Sequence, residues 1–346
     1  MNSVQPVKVF STSGSIELAR NICNALQTRL PKEFQSGGCL ILSNSGFEKF
    51  DNECILPHIE NVRDHLVVII HTHAPQIHTQ LFELFHLIDA IVNADAKEIM
   101  LVFPYYEYSR SDKKDQPRIS VMSRFLAEIF NNPNLGIRKK IILDPHNDHI
   151  LEYFRPTANG ISAVLLLTDY LEREFLTPEL RKNSVVVFSD PGAAYRYREV
   201  AHILNLSTAY IDKQRAGGKT TPIKVVGNVR KKNCLLFDDE ILTGGTAIGD
   251  STMLLEAGAL SVIFLVIHGI LASEKIPVGA LIKKLEDSPI SKFILTDSVP
   301  VSHKLIGTNK FKVISVANLL AEAIKRTILG ESLTQLYLPE NVSLYR

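Results

Sequence analysis

Two adjacent carboxylates, Asp238 and Asp239, follow an apolar run and precede a turn of small residues. The turn, Thr243 to Thr246, reads Thr-Gly-Gly-Thr and leads into a helical pattern that begins near Ala247. Glycine lets backbone N–H groups approach an anion closely, and the N-terminus of a helix adds positive potential. The stretch therefore predicts a strand that delivers two carboxylates to a crevice beside a phosphate-binding loop. A ribose 5-phosphate group suits this arrangement better than the alternative, which is a turn with two solvated aspartates.

A second polar segment, Phe103 to Asp115, follows another predicted strand and combines aromatic rings with basic side chains. Its tyrosines and Arg110 are able to sandwich a purine ring, and Lys113 and Lys114 are able to contact phosphates. The alternative is a charged surface loop over buried tyrosines, and the segment by itself favours neither interpretation.

Two further strand ends carry residues that suit a metal ion bound to phosphates. Asp144 and His146 are two residues apart, so their side chains point the same way if the segment is extended. A carboxylate with an imidazole or its bound water would help to hold Mg²⁺ near a triphosphate. Histidine is a poor ligand for Mg²⁺, so a hydrogen-bonding His146 is the alternative. Asp190 precedes a small-residue turn into a helix, which would hold pyrophosphate on backbone N–H groups with the carboxylate near the metal.

The segment from Asp212 to Asn228 is rich in Gly and Lys and is predicted to be a mobile loop. Lys213 and Arg215 lie on it, two residues apart. Two such cations are able to stabilise the negative charge that develops during phosphoryl transfer. Ordinary surface charge is the alternative explanation of this pair.

Short apolar runs that alternate with amphipathic segments must position these side chains. The alternation predicts an α/β fold with mainly parallel sheets flanked by helices, and it places functional groups at the carboxyl ends of strands. The predicted strands are Val7–Ser11, Cys39–Ser43, His65–His71, Glu98–Tyr105, Lys140–Asp144, Val185–Ser189, Ser207–Ile211, Asn233–Phe237, Val262–His268, Phe293–Thr296 and Lys312–Val316.

Bulk composition excludes several classes of protein. Lys plus Arg (38) nearly balances Asp plus Glu (37), which argues against a nucleic-acid partner attracted by bulk charge. The four cysteines have neither metal-site spacing nor the density of a disulfide scaffold, which favours a reducing cytoplasm. We find no secretory signal and no apolar run of the ~18 residues that span a bilayer. A cytoplasmic protein without a membrane partner is therefore expected.

At 346 residues the chain exceeds one ordinary core, which favours two domains. The stretch from Arg155 to Gly160 interrupts the apolar pattern and predicts the boundary there. We therefore expect similar α/β units over residues 1–160 and 161–346.

In their order and context these motifs resemble the ribose-phosphate pyrophosphokinase (phosphoribosyl pyrophosphate synthetase) family. The resemblance covers nearly the whole length, from Val9-Phe10-Ser11 to Gly330-Glu331-Ser332. Each motif alone is weak to moderate, but four of them in the family's order and at compatible spacings are specific. The resemblance implies two phosphoribosyltransferase-like domains.

The resemblance also implies a reaction, in which the β,γ-diphosphoryl group of ATP is transferred to the anomeric hydroxyl of ribose 5-phosphate. The products are phosphoribosyl pyrophosphate and AMP. Carried over to this sequence, the family's site comprises the catalytic Lys213 and Arg215, the ribose 5-phosphate residues Asp238, Asp239, Thr243, Gly244, Gly245 and Thr246, the ATP residues Phe50, Asn52, Arg110, Ser111, Asp112 and His146, and the Mg²⁺ residues His146, Asp190 and Asp144.

The family's organisation implies roles for the two domains. The N-terminal domain would supply ATP contacts and a subunit interface, and the C-terminal domain the ribose 5-phosphate loop and the catalytic loop. The last helix would pack back on the N-terminal domain. A homo-oligomer of the hexamer type is implied, with the loop from Phe50 to Cys54 reaching a neighbour's ATP site.

Three departures from the family's pattern keep alternatives open. Leu242 stands where the family usually has an acidic residue before the Thr, Cys54 where it tends to have Glu, and Ser111 where a Gln commonly follows the Arg. One alternative is a catalytically weak regulatory subunit that assembles with an active paralogue, and another is a phosphoribosyltransferase that consumes phosphoribosyl pyrophosphate. Because Lys213 and Arg215 are retained, an active but divergent synthetase is the favoured interpretation.

Overall fold

The computed structural model describes residues 5–35, 40–43, 45–52, 54–73, 76–216 and 219–346, with residues 191, 214–216 and 219–222 described by their backbone only. The strands are β1 Val7–Ser11, β2 Ser45–Lys49, β3 Ile55–Ile59, β4 Leu66–Ile70, β5 Glu98–Phe103, β6 Ile137–Leu143, β7 Asn159–Ile161, β8 Ser184–Phe188, β9 Thr208–Ala216, β10 Lys219–Val226, β11 Asn233–Ile241, β12 Ser261–Gly269, β13 Lys292–Thr296 and β14 Phe311–Ile314.

The α-helices are α1 Ile16–Arg29, α2 Ile77–Asn93, α3 Met122–Phe130, α4 Val164–Glu174, α5 Pro178–Lys182, α6 Pro191–Arg196, α7 Arg198–Ile203, α8 Gly245–Glu256, α9 Val278–Glu286 and α10 Ala317–Leu329. Short 3₁₀ helices cover Ser13–Ser15, Lys32–Phe34, Pro133–Leu135, Asp148–Tyr153, Ser302–Lys304, Leu333–Tyr337 and Pro339–Leu344. None of the described helices is long and apolar enough to cross a membrane.

By its internal packing the chain divides into two units, which are described separately. The first comprises Met1–Ser162, Ser298–Pro300 and Val316–Arg346, and the second comprises Ala163–Asp297 and Val301–Ser315. The roles predicted for the two halves of the chain stay predictions.

The first unit is built on a parallel sheet whose described strands follow the order β1-β4-β5-β6-β7. β4 reads Leu-Val-Val-Ile-Ile and is buried at every position, as expected for a parallel strand that is covered on both faces. β2 and β3 form a separate antiparallel pair, and α10 packs on α1 within this unit.

The second unit contains a larger sheet, in which the described strands follow the order β10-β9-β8-β11-β12-β13-β14. All neighbouring pairs are parallel except β9 and β10. The apolar residues of β8, β11, β12 and β13 form a core with the inner faces of α8 and α9. The predicted α/β fold with mainly parallel, helix-flanked sheets is therefore confirmed.

Two local predictions are wrong. In the described residues the segment from Asp212 to Asn228 is largely an antiparallel β-hairpin, because β9 continues to Ala216 and β10 begins at Lys219. β10 carries five β-branched residues beside its lysines and its proline, which favours an extended conformation, and as the edge strand it tolerates a proline. The predicted strand Cys39–Ser43 starts outside the described residues. Its described part makes only an isolated bridge, between Val9 and Leu42.

Candidate active site

The adjacent carboxylates lie near the end of β11, which continues to Ile241 rather than ending before them. Asp239 is 7% exposed, and its Oδ2 lies 3.2 Å from a guanidinium nitrogen of Arg196, at the end of α6. Its Oδ1 accepts the backbone N–H of Glu240 at 3.0 Å. These contacts hold the Asp239 carboxylate in one orientation.

Asp238 sits in a different electrostatic environment from that of Asp239. Its Oδ1 accepts the backbone N–H of Asp239 at 3.0 Å. Burial, together with the neighbouring Asp239, raises the pKa of Asp238 well above its usual value, and Lys213 acts in the opposite direction. A ligand that brings hydroxyl donors or positive charge to this pair would relieve the repulsion between the two carboxylates.

The helix after β11 begins slightly before the expected position near Ala247, because α8 starts at Gly245. Gly244 is the N-cap residue with a φ of +67°, and a Cβ there would lie 2.3 Å from Cδ2 of Leu285. Glycine is thus required at Gly244 for both backbone conformation and space. The N–H groups of the first helical turn lack acceptors within the helix, so they are suited to an anion.

Asp190 follows β8 and starts the short helix α6. Its Oδ1 accepts the backbone N–H of Ala193 at 2.8 Å, and Pro191 occupies the first helical position. Aspartate at the N-cap and proline next to it are the residues that this geometry favours. The predicted metal residue is thus also a helix cap in this structure.

Lys213 lies on β9 and forms a close ion pair. Its Nζ is 2.7 Å from Oδ2 of Asp250 on α8, and the two side chains are 7% and 1% exposed. Arg215 occupies the same strand, where it pairs in register with Thr220 of β10; its side chain lies outside the described part.

The order of the sheet explains why these residues converge. β9, β8 and β11 are consecutive, parallel neighbours, so their carboxyl ends lie side by side. Lys213 interacts electrostatically with Asp238 as well as with Asp250, and Asp190 interacts with Asp250. The structure therefore brings Asp190, Lys213, Asp238 and Asp239 to one edge of the sheet, which is where ligands bind in α/β folds.

The first unit holds a second group of predicted residues. Asp144 follows β6, has a φ of +39°, and accepts a hydrogen bond from Ser162 Oγ at 2.6 Å. His146 is half-buried two residues later. Asp112 is nearly buried, and its Oδ2 lies 3.2 Å from Nε2 of His149. The turn after β6 thus contacts the segment that was predicted to bind a purine.

Arg110 and Ser111 differ in how much of each side chain can meet a ligand. Arg110 is exposed. Ser111 Oγ donates to the backbone carbonyl of Ser120 at 3.0 Å and accepts the N–H of Met122 at 3.1 Å. The hydroxyl of Ser111 therefore holds the chain at the start of α3, and an ATP contact through it stays a prediction.

The loop between β2 and β3 carries two more predicted ATP residues. Phe50 is 44% exposed. Asn52 Oδ1 accepts the backbone N–H of Cys54 at 3.2 Å, so this amide shapes the turn, and Glu53 lies outside the described residues. The side chains of Phe50 and Asn52 are exposed at the surface of the first unit.

Within the described ranges, no three His, Cys, Asp or Glu side chains cluster in a way that would hold a metal ion. Mg²⁺ is commonly held by only one or two carboxylates, with waters and substrate phosphates as its other ligands. The carboxylates of Asp144 in the first unit and of Asp190 in the second are each oxygen donors of the kind that Mg²⁺ binds.

Known proteins resemble this chain over nearly its full length. Residues 7–133 match the N-terminal domain of ribose phosphate pyrophosphokinase, and residues 214–338 match the phosphoribosyl synthetase-associated domain. The ribose-phosphate pyrophosphokinase of Aquifex aeolicus is 31% identical over 96% of this chain and 99% of its own. That of Rhizobium meliloti is 32% identical over 96% of this chain and 100% of its own. This chain belongs to the ribose-phosphate pyrophosphokinase family.

A solved structure agrees with this membership. The phosphoribosylpyrophosphate synthetase of Mycobacterium smegmatis superposes with a TM-score of 0.80 at 27% sequence identity, over 94% of this chain and 100% of the other. The resemblance drawn from the motifs is therefore confirmed.

Two residues at the site of this pyrophosphokinase family member, the half-buried Arg196 and the buried Asp250, were not predicted individually. Arg196 lies in the short helix that follows Asp190, and its ion pair with Asp239 depends on the packing of α6 against β11. Asp250 carries no signal in the sequence, because a single aspartate in a helix is usually exposed. Only the packing of α8 shows that its carboxylate is buried against Lys213.

Proposed function

We propose that this chain is a ribose-phosphate diphosphokinase, which transfers the β,γ-diphosphoryl group of ATP to the anomeric hydroxyl of ribose 5-phosphate. The observation that carries the proposal is the convergence of Lys213, Asp238 and Asp239 beside the N-terminus of α8. Membership of the pyrophosphokinase family supports the same reaction.

In the proposed complex, ribose 5-phosphate lies at the end of β11. Its 5-phosphate accepts hydrogen bonds from the backbone and hydroxyl groups of Thr243 to Thr246, where the first turn of α8 offers N–H groups. Its ribose hydroxyls donate to Asp238 and Asp239. Arg196 holds Asp239 in place, so the sugar meets an acceptor that is already oriented.

The chemical step is a displacement at the β-phosphorus of ATP. The anomeric hydroxyl loses its proton to solvent as its oxygen bonds to the β-phosphorus, the bond from that phosphorus to the α,β-bridging oxygen breaks, and AMP leaves. Negative charge grows on the transferring group, and Lys213 and Arg215 would stabilise it. The remaining contribution is alignment of the two substrates.

Mg²⁺ is part of the proposal, with Asp190, Asp144 and His146 as the residues that would hold it. When bound, the ion neutralises phosphate charge and orients the polyphosphate. On the first unit, Phe50, Asn52, Arg110, Ser111 and Asp112 are the proposed contacts to ATP. By family resemblance, the protein is also proposed to be a homo-oligomer and to be located in the cytoplasm.

The test is to measure AMP and phosphoribosyl pyrophosphate formed from ATP, Mg²⁺ and ribose 5-phosphate by the wild-type protein and by Lys213→Ala. Loss of a charged group that stabilises the transition state is expected to reduce kcat by about 10²–10³-fold. Lys224→Ala is the matched control, because Lys224 lies on the adjacent strand β10 and its side chain is 64% exposed.

Each outcome separates the proposal from its alternatives. Equimolar AMP and phosphoribosyl pyrophosphate, lost in Lys213→Ala and kept in Lys224→Ala, would support it. Folded wild-type protein that forms no AMP with Mg²⁺ and inorganic phosphate present would contradict it and favour the regulatory subunit. Consumption of phosphoribosyl pyrophosphate with a purine base would favour the phosphoribosyltransferase.

A further inference from the structure

The ion pair between Lys213 and Asp250 is enclosed on almost every side. The Nζ–Oδ2 distance is 2.7 Å, and the side chains are 7% and 1% exposed. In the described part of the chain, Oδ1 of Asp250 is buried without a hydrogen-bond partner. The Lys213 ammonium therefore pairs closely with one oxygen of Asp250, while the other oxygen of this carboxylate accepts no hydrogen bond from the described residues.

The position of Asp250 links this pair to the proposed substrate loop. Asp250 lies on α8, whose N-terminus begins with Gly245 at the phosphate-binding turn. Lys213 lies on β9, the first strand of the β9–β10 hairpin. The second strand, β10, also packs on α8. Asp250 on α8 thus holds Lys213, the cation that is proposed to act in catalysis.

Asp250 and the transferring phosphoryl group are alternative anionic partners for Lys213. A lysine that contacts the transferring phosphoryl group cannot keep Nζ within 2.7 Å of Asp250 unless both anions share one site. Withdrawal of Lys213 leaves a buried carboxylate without its counter-ion, which is unfavourable. Burial raises the pKa of Asp250 to about 6 although Lys213 opposes the shift, which shows how poorly this position is solvated.

We propose that Asp250 is a positioning residue that holds Lys213 in a retracted place in the ligand-free protein, and that a bound polyphosphate draws Lys213 away from it. The inference rests on the proposed function, because it assigns Lys213 to the transferring group. Part of the binding free energy of ATP is then used to break the ion pair, so Asp250 lowers the apparent affinity for ATP.

The retracted state can be tested without substrate, by chemical acetylation of lysines followed by mass spectrometry of the whole protein chain. Lys213 should be protected in the wild type and become severalfold more reactive in Asp250→Asn. The control is Asp212→Asn, since Asp212 is on the same strand, is 43% exposed, and lies 3.8 Å from Lys224. Equal reactivity of Lys213 in wild type and Asp250→Asn would overturn the proposal.

The release of Lys213 can be tested by calorimetric titration with ATP and Mg²⁺ in the absence of ribose 5-phosphate. Asp250→Asn should tighten ATP binding by about tenfold, which is within the range for directly contacting charges. In the Lys213→Met background the same substitution should change the affinity little. This double-mutant cycle separates the ion pair from the general effect of removing a negative charge near an anion.

The possible results exclude one another. Equal tightening with and without Lys213 would show that Asp250 acts only through its field, and weaker binding in Asp250→Asn would show that it supports the site; either overturns the proposal. ATP binding and Lys213 release without AMP formation would contradict the proposed function alone. If no variant binds ATP, the release step fails together with the proposed function, while acetylation still decides whether Asp250 retains Lys213.

Discussion

The buried carboxyl group of Asp250 makes a pH-dependent contribution to the free energy of unfolding. Burial raises the pKa of Asp250 from 3.8 to about 6, against the effect of Lys213. Between these values the folded state binds more protons at this group than the unfolded state does. Stability from this group is therefore highest at low pH and is lost as the pH rises through that window.

We expect Asp250→Asn to gain stability relative to wild type as the pH rises from about 4 to about 7. The gain is at most about 3 kcal/mol, because each pKa unit corresponds to about 1.4 kcal/mol. Urea denaturation of both proteins across this pH range measures it. Asp212→Asn, at an exposed position on β9, should show a much smaller change, and a pH-independent difference for Asp250→Asn would contradict the argument.

Two His–Glu pairs of equal length show how burial decides the cost of losing a charge. His71 Nε2 and Glu107 Oε1 are 3.0 Å apart and both side chains are 1% exposed, although the atoms are not aligned as a hydrogen bond. His58 and Glu48 are also 3.0 Å apart, but are 63% and 53% exposed. Solvent screens the second pair and not the first.

Glu107→Gln is therefore expected to reduce the free energy of unfolding by about 1–3 kcal/mol, the cost of disturbing a buried polar contact that water cannot replace. Glu48→Gln should cost less than about 1 kcal/mol. Chemical denaturation of the two variants makes the comparison. Similar losses for both would show that burial does not govern these pairs.

At the scale of elements, two glycines near the N-terminus of α8 meet different requirements. Gly244 has a positive φ, and a Cβ would meet Leu285 at 2.3 Å. Gly249 lies inside α8, where a Cβ would meet nothing within 4 Å. One glycine is needed by the turn, and the other weakens the helix.

Gly244→Ala should destabilise the protein by about 1–3 kcal/mol through backbone strain and the displaced leucine. Gly249→Ala should stabilise it by about 0.5–1 kcal/mol, because alanine lowers the conformational entropy of the unfolded chain and favours the helix. Thermal unfolding monitored by circular dichroism tests both. The interpretation fails if the two variants shift Tm in the same direction.

The β9–β10 hairpin shows where element-level prediction from the sequence fails. Glycines and lysines between Asp212 and Asn228 indicated a loop, yet the described backbone pairs from Tyr210 with Val226 to Ala216 with Lys219. A strand at the edge of a sheet tolerates polar residues and a proline, so its pattern is weak. The apolar central strands were predicted to within a few residues.

At the scale of the whole molecule, the first unit is assembled from separate parts of the chain. Val316–Arg346 belongs to it together with Met1–Ser162, and α10 packs on α1. The helix contributes Leu319, Leu320, Ala323 and Ile324 to the buried residues. The end of the chain is therefore part of the core of the first unit.

A chain that ends after Ser315 should lose the protection of α1, because removal of α10 exposes the apolar surface that the two helices share. Hydrogen exchange measured by mass spectrometry should show faster exchange in α1, while β11 and β12 of the second unit serve as the internal reference. Equal acceleration in α1 and β11 would mean that the two units do not unfold independently.

The sequence by itself determined the fold class, the central strands and the glycine turn that follows β11. Buried parallel strands must be apolar throughout, and a turn at positive φ beside a helix N-terminus requires glycine, so both leave local signals. The tertiary structure alone decided that Asp250 meets Lys213 and that Arg196 orients Asp239. Contacts between residues distant along the chain depend on how helices pack on the sheet, and no local pattern encodes that packing.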